Sequence, residues 1–319
     1  MNFLITGGCG YIGSRITENL LQQKHRVVVF DSMWFGNSLK KNINLKVVKG
    51  DIRNFSSLKI KNIDTIIHLA NVANDPAVEL NPNLSWEVNV LASKIIAEHA
   101  IKNEVKKLIF FSSGSVYGLK KERNVTEDLK LNPISVYNKT KMIAERVFLS
   151  YKSKLHIICL RPATVCGISK RLRLDLTVNK LTFDAFYKKK IIIDGGKQVR
   201  PNIHIEDVVR VVEYFALENK KFKHNIYNIG FENLSILKIA KKIKKKLKAK
   251  LLISKSKDIR SYRQDSSRLL QTGFRPKYNV DYAIDQLIDE FKKRKINDFG
   301  INNFNLKKMK KIKLDIIKC

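Results

Sequence analysis

The stretch Ile5-Thr6-Gly7-Gly8-Cys9-Gly10-Tyr11-Ile12-Gly13 decides the fold of this chain. It follows an apolar run, Phe3-Leu4-Ile5, that reads as a β-strand, and it opens an amphipathic stretch, residues 12–21, that reads as a helix. Gly7, Gly10 and Gly13 fall on the strand-to-helix turn. A pyrophosphate needs backbone N–H groups aimed at it and no Cβ in the way, and a helix N-terminus adds favourable partial charge. A second apolar run, Val27-Val28-Val29-Phe30, ends at Asp31, 18 residues after Gly13. A carboxylate there can accept hydrogen bonds from both ribose hydroxyls of NAD and repels the 2′-phosphate of NADP. The pattern predicts an NAD site that includes Gly7, Gly10, Tyr11, Ile12, Gly13 and Asp31. The plainer alternative is a glycine turn that holds no ligand.

At 319 residues the chain is long enough for one large domain or two coupled ones, and an apolar content of 44% allows a sizeable core. No apolar run approaches the roughly 18 residues of a membrane span, so none is expected. The first strand begins at the N-terminus, so no signal peptide is expected either. Cys9, Cys159, Cys166 and Cys319 show no metal-ligand spacing and read as reduced thiols of a cytoplasmic protein. The net charge of +33 comes from 62 Lys+Arg against 29 Asp+Glu and raises the question of a nucleic-acid or anionic-membrane partner. The lysines are spread along the chain, Ile and Asn are abundant as well, and no zinc-finger or RNA-binding signature accompanies them. The charge therefore reads as the compositional bias of an AT-rich genome, and no nucleic-acid partner is expected. A positive field would still steer an anionic ligand to its site.

Strands and helices alternate through the first half, which predicts a doubly wound parallel α/β sheet with helices on both faces. Residues 45–48 read as a third strand ending at Gly50-Asp51-Ile52-Arg53, where Asp51 and Ile52 could meet an adenine. Residues 63–69 read as a fourth, running into Leu69-Ala70-Asn71, where small residues let the backbone approach a cofactor. A long helix is expected over 84–102 with Asn89 inside it, either as an ordinary polar residue or as a support of the site. Residues 107–112 form a fifth strand by their pattern, followed by Ser113-Gly114-Ser115. Asn132-Pro133-Ile134-Ser135 then caps a helix carrying Tyr137 and Lys141. These two are four residues apart and share a helix face. A Lys ammonium beside a phenol favours the phenolate and is expected to lower its pKa from about 10 toward working pH. Ser113, at a strand end, can hydrogen-bond the reacting oxygen while Tyr137 removes a hydroxyl proton and hydride goes to NAD⁺. Tyr-x-x-x-Lys alone is a common pattern. It gains weight 24 residues after a strand-terminal serine in a chain that begins with a dinucleotide turn.

These residues resemble the extended short-chain dehydrogenase/reductase family, in its nucleotide-sugar epimerase and dehydratase branch. The resemblance is carried by Thr6 to Gly13, Asp31, Gly50 to Arg53, His68-Leu69-Ala70, Asn89, Ser113 to Gly118, Tyr137 to Lys141 and Leu160-Arg161-Pro162, and it covers about residues 1–293. It implies catalysis by Ser113, Tyr137 and Lys141. It implies cofactor binding by the three glycines, Asp31, Asp51, Ile52 and the Leu69-Ala70-Asn71 stretch, together with Tyr137 and Lys141. For a nucleotide-sugar substrate it implies contacts from Ser115, Asn179, Arg200 and Arg260, with Arg171 and Arg173 as looser candidates; a guanidinium suits the bidentate clamping of a diphosphate. His204 reads as a residue that holds the fold. A homodimer through the helices over 84–102 and 135–151 is also implied by resemblance.

The same resemblance implies a Rossmann domain over 1–166, completed by about 206–230, and a smaller C-terminal α/β substrate domain over 167–205 and 231–293. Residues 294–319 run past the family's usual end as a basic tail. Leu306, Met309, Ile312, Ile316 and Ile317 stand among its lysines, and it is expected to be frayed or loosely docked.

Family dehydratases usually carry Asp-Glu directly after the catalytic hydroxyl residue, where this chain has Gly114-Ser115. That leaves oxidation of a sugar hydroxyl, at C4, followed either by return of hydride to the other face of the ketone or by release of the ketone. The first is a UDP- or GDP-sugar epimerase and the second a dehydrogenase. A non-catalytic NAD-binding regulatory relative is the third reading, and the intact Ser113, Tyr137 and Lys141 set weighs against it. The stretch 167–176 resembles a subgroup acting on surface-polysaccharide sugar nucleotides, including enzymes that oxidise GDP-heptoses at C4. Cys166 departs from the aromatic residue of many relatives.

Overall fold

The structure, a computed structural model, describes residues 1–218, 222–255 and 261–312. Arg260 and Cys319 lie outside the described residues, as do Ile316 and Ile317.

The first half alternates strand and helix as its pattern predicts. Strand β1 (Asn2–Thr6) leads into α1 (Tyr11–Gln22), and β2 (Arg26–Asp31), β3 (Leu45–Lys49) and β4 (Thr65–His68) follow. Two short helices, α2 (Asp75–Val78) and α3 (Pro82–Trp86), precede the longer α4 (Ala92–Lys102). Next come β5 (Lys107–Phe111), α5 (Val136–Ser150), β6 (His156–Pro162) and β7 (Thr164–Cys166). The second half contains α6 (Thr177–Lys188), β8 (Lys190–Asp194), β9 (Val199–His204), α7 (Ile205–Leu217), β10 (Ile226–Ile229) and β11 (Glu232–Ser235). It ends with α8 (Ile236–Lys246), β12 (Lys250–Ser254), α9 (Ser267–Leu270), α10 (Val280–Lys292) and α11 (Asn305–Lys311).

The central sheet has seven strands in the order β10-β6-β5-β4-β1-β2-β3, and every pairing in it is parallel. Side chains alternate across a strand, so a fully apolar strand feeds two cores. Phe3 and Ile5 face one core with Val29, Ile67, Ile109 and Ile158. Leu4 faces the other with Ile66, Leu108 and Ile157. Helices α1 and α7 cover the first face, and α4 and α5 the second. The fold is therefore the doubly wound Rossmann sheet, with its chain reversal between β1 and β4, where a crevice opens at the strands' C-terminal ends.

The stretch 84–102 is not one regular helix. Between α3 and α4 lies a π-helical turn, Glu87–Leu91. Such a turn accommodates an extra residue and re-aims the side chains within it. Here it carries Asn89, whose Oδ1 accepts from the Val72 N–H at 2.8 Å and whose Nδ2 donates to the Thr140 hydroxyl at 3.1 Å. Asn89 thus joins the chain beside Asn71 to the helix turn beside Lys141.

The smaller sheet β11-β9-β7 and the parallel pair β12-β8 form the second half with α6, α8 and α10. One continuous apolar cluster runs from Phe3 through Val178, Ile239 and Leu287 to Phe299, so the halves share a core. Over its described residues, up to 312, the segment after α10 is docked, which corrects the expectation of a loose tail for that part. Phe299 packs among the rings of Phe183, Tyr187 and Phe291, and Met309 is 1% exposed in the second core. Phe299 and Met309 are buried, while Lys307 and Lys310 face outward.

Arg161 and Glu145 form an ion pair, each 3% exposed, that ties β6 to α5. Arg161 also donates to the Tyr117 hydroxyl at 2.7 Å. Removing one partner of such a pair leaves a buried charge uncompensated, whereas replacing both by apolar groups is often tolerated. Arg161→Met should lower unfolding stability by about 3–5 kcal/mol and Arg161→Met with Glu145→Leu by clearly less, as read by urea denaturation.

Candidate active site

The crevice between β1 and β4 is a cavity whose floor is the glycine turn. Gly7 has φ +73°, and a Cβ there would stand 2.7 Å from the Ala70 nitrogen. A Cβ on Gly13 would lie 2.2 Å from the Gly7 carbonyl oxygen. These two glycines are demanded by backbone contact. Gly10 differs: a Cβ there would meet only the Gly7 oxygen, at 3.1 Å, and would otherwise fill open space above the turn. The first N–H groups of α1, from Tyr11 onward, have no partner within the helix and point toward that space.

Asp31 closes one side. Its carboxylate accepts from the Cys9 N–H at 2.9 Å and the Met33 N–H at 2.7 Å, and burial pushes its pKa up against those bonds. Asp51 caps the 3₁₀ turn Ile52–Ser57 and accepts from Arg53 through backbone and guanidinium. Burial opposes the Asp51 charge, but Arg53 outweighs it and holds the carboxyl below its ordinary value. Ile52, Leu69, Ala70 and Asn71 also line the cavity.

The opposite wall comes from α5. Ser135 caps this helix, accepting from the Asn138 N–H at 3.1 Å, and Tyr137 and Lys141 both face the cavity. Lys141 is 3% exposed and its ammonium lies 4.5 Å from the centre of the Phe110 ring. Burial holds it down to about 7, with Glu145 one turn on pulling the other way. His68, buried and paired with the Thr6 hydroxyl at 2.6 Å, is held neutral, down to about 3, by burial and then by the Lys141 charge. Ser113 caps the 3₁₀ turn Gly114–Tyr117, lies within hydrogen-bonding reach of the Tyr137 phenol, and has its Oγ 2.7 Å from the Ser115 Oγ.

The electrostatics depart from expectation. Burial pushes the Tyr137 phenol up to about 12, and the groups that oppose this are Arg173 and the Ser113 hydroxyl rather than Lys141. Arg173 is held by Asp175 through two hydrogen bonds, of 3.0 and 2.6 Å. Lys141 acts instead on His68, whose protonation its charge opposes.

Two of the residues expected to contact a substrate hold other partners in this structure. Asn179 is fully buried: its Oδ1 accepts from the Gly167 N–H at 3.0 Å and its Nδ2 donates to the Arg173 carbonyl at 3.0 Å. It shapes the loop that carries Arg173. Arg200, on β9, donates to the Val199 carbonyl at 3.3 Å and is not among the residues of the cavity wall. Ser115 reaches the site through Ser113. His204 caps α7, accepting from the Glu206 N–H at 3.1 Å.

Sequence reasoning held Arg171 and Arg173 only loosely and missed Phe35, Ser112 and Asn305, all of which line the cavity. Only Ser112, beside Ser113 at the end of β5, carried a sequence signal. The cavity suits a dinucleotide by its own chemistry. Beyond the open space over Gly10, three buried polar atoms of its lining residues have no partner among the described residues: Asn71 Oδ1, Ser112 Oγ and Arg171 Nε. Buried polar groups are normally satisfied, so these three are available to a polar ligand.

Comparison with known proteins agrees. The model of the NAD dependent epimerase/dehydratase family matches residues 3–230. A putative UDP-glucose 4-epimerase of Methanocaldococcus jannaschii is 32% identical over 237 residues, 71% of this chain and 76% of the relative. Among solved structures, the fold is similar to MoeE5 in complex with UDP-glucuronic acid and NAD, with a TM-score of 0.81 and 26% identity over 92% of this chain and 99% of that one. It is likewise similar to a UDP-glucose 4-epimerase from Thermotoga maritima with UDP-glucose, with a TM-score of 0.82 and 25% identity over the same shares, 92% and 99%. By its glycine turn, its cavity and these matches, the chain belongs to the NAD dependent epimerase/dehydratase family.

Proposed function

We propose that this protein is an NAD-dependent 4-epimerase of UDP-sugars. The observation that carries the reading is the meeting of Tyr137, Lys141 and the glycine turn in one cavity, with Ser113 in reach of the phenol. Relatives named as UDP-glucose and UDP-glucuronate 4-epimerases support the substrate class. Gly114-Ser115, where dehydration would call for an acidic pair, supports epimerisation.

NAD would be held by the α1 N-terminus over Gly10, with Asp31 at a ribose, and the chemistry it supplies when bound is reversible hydride acceptance. Tyr137 takes the proton of the sugar C4 hydroxyl and later returns it to the ketone oxygen. Ser113 orients that oxygen. Arg173 stabilises the phenolate across the cavity, and Asn89 keeps the two walls in register. The resemblance of 167–176 to a polysaccharide subgroup supports a role in making surface sugars. The free, buried thiols of Cys9, Cys159 and Cys166 support a reducing, cytoplasmic setting. The exposed Leu91 (61%) and Trp86 (36%), on the stretch from α3 into α4, support a homodimer through that face.

Purified protein incubated with UDP-glucose and UDP-galactose, without added reductant, should interconvert them; steady accumulation of NADH instead would overturn epimerisation in favour of a dehydrogenase. Tyr137→Phe should reduce the rate by roughly 10²–10⁴-fold while leaving NAD binding intact, and full turnover by that variant would remove Tyr137 from the mechanism. Arg173 lowers the Tyr137 pKa, so its removal raises it. Arg173→Gln with Asp175→Asn should therefore move the ascending limb of the kcat–pH profile upward by about one unit. Leu91→Glu should convert a dimer to a monomer in light scattering; a wild-type monomer would dispose of the interface.

A further inference from the structure

Arg171 takes no part in that chemistry, yet it lines the cavity and is 5% exposed. Its guanidinium lies 4.0 Å from the centre of the Phe35 ring, and its Nη2 donates to the Asn305 side-chain oxygen at 2.5 Å. Its Nε has no acceptor, and no carboxylate pairs with it, among the described residues. The nearby acids are already committed: Asp175 to Arg173, and Asp31 to the N–H groups of Cys9 and Met33. A neutral amide and a ring leave the positive charge of a buried guanidinium uncompensated. Burial, reinforced by the charge of Arg173, drives Arg171 down to about 9.

Asn305 belongs to the segment after α10. That segment is fastened to the Arg171 loop by backbone and side chain: the Leu174 N–H donates to the Asn303 carbonyl at 2.9 Å, and Asn303 Nδ2 to the Leu172 carbonyl at 3.0 Å. Met309 anchors its far end in the core. Arg171 senses Asp31 and Tyr11, which flank the glycine turn. A diphosphate lying over Gly10 is the anion those neighbours imply.

We propose that the C-terminal segment is a working part of the nucleotide site: Asn305 is a positioning residue that holds Arg171 against the cavity, with its Nε left to donate to a diphosphate oxygen of bound NAD. The proposal rests on the NAD reading above. It makes the segment a strap that slows release of the dinucleotide, as an enzyme that must return its own hydride requires.

Full-length wild type, Asn305→Ala and Asn305→Asp would be compared by calorimetry with NAD⁺, adenosine and UDP, and by the rate of NAD⁺ release into an adenosine diphosphate ribose chase. Asn305→Asp keeps the size of the side chain but gives Arg171 an internal counter-ion. It should weaken NAD⁺ binding by about tenfold, speed release comparably, and leave adenosine affinity and Tm unchanged. Asn305→Ala should act in the same direction; if it fails to fold, the aspartate variant alone decides. Wild-type affinity and release in both variants would overturn the proposal, and so would equal losses for NAD⁺ and adenosine, which mark a purely structural role. A loss confined to UDP would assign the anion to the substrate and overturn the cofactor assignment. If the wild type binds NAD⁺ and the variants match it, only this proposal falls; if the wild type binds neither NAD⁺ nor UDP, the functional reading falls with it.

Discussion

The structure depends on one close approach of backbone to backbone. Gly7 and Gly13 let the first turn fold onto itself and onto the chain after β4, with no room for a single added carbon at either position. That contact starts α1 directly at the mouth of the sheet, so the unpaired N–H groups of its first turn open into the crevice between β1 and β4. The place of each later element is measured from that crevice. Helix α5 brings Tyr137 and Lys141 to its far wall, and the loop after β7 brings Arg171 and Arg173 over its top.

The charges in this cavity make sense together only as parts of a binding site. A lysine pushed toward neutrality, a phenol pushed toward protonation and an arginine without a counter-ion all pay for burial separately. No protein group of opposite charge has been put beside Lys141 or Arg171 at salt-bridge distance among the described residues. The protein does supply such partners elsewhere, as Arg161 with Glu145 shows. The contrast between a satisfied structural pair and unsatisfied cavity cations separates framework from site in a chain that is basic throughout.

The sheet, the glycine turn, Asp31 and the Tyr137–Lys141 pair were legible in the sequence because each depends on local spacing: a period of two, a period near four, or glycines at a turn. What escaped was what depends on distant packing. Asn179 matched a ligand position, but nothing local could show that its side chain would bond Gly167, Arg173 and Tyr11. The π-helical turn at Asn89 arises from partners at Val72 and Thr140, on either side of it in sequence. The phenol's environment was misjudged because helix spacing names Lys141 as its neighbour, while the field it feels comes from Arg173 across the cavity. Asn305 lay in a lysine-rich stretch that gave no reason to expect a pocket.

The edge of the central sheet has a consequence for how the chain is made. Strand β10 pairs with β6 through Ile226 and Cys159, so the sheet is finished by residues that follow α6, β8, β9 and α7. Pairing across so long a separation carries a large loop-closure entropy and comes late. During synthesis the edge of β6 stays open while α6, β8, β9 and α7 leave the ribosome, and an open strand edge is prone to pair with the wrong chain. The central sheet is therefore complete only once the chain has reached β10, and a fragment cut at the end of β7 would inherit that unpaired edge.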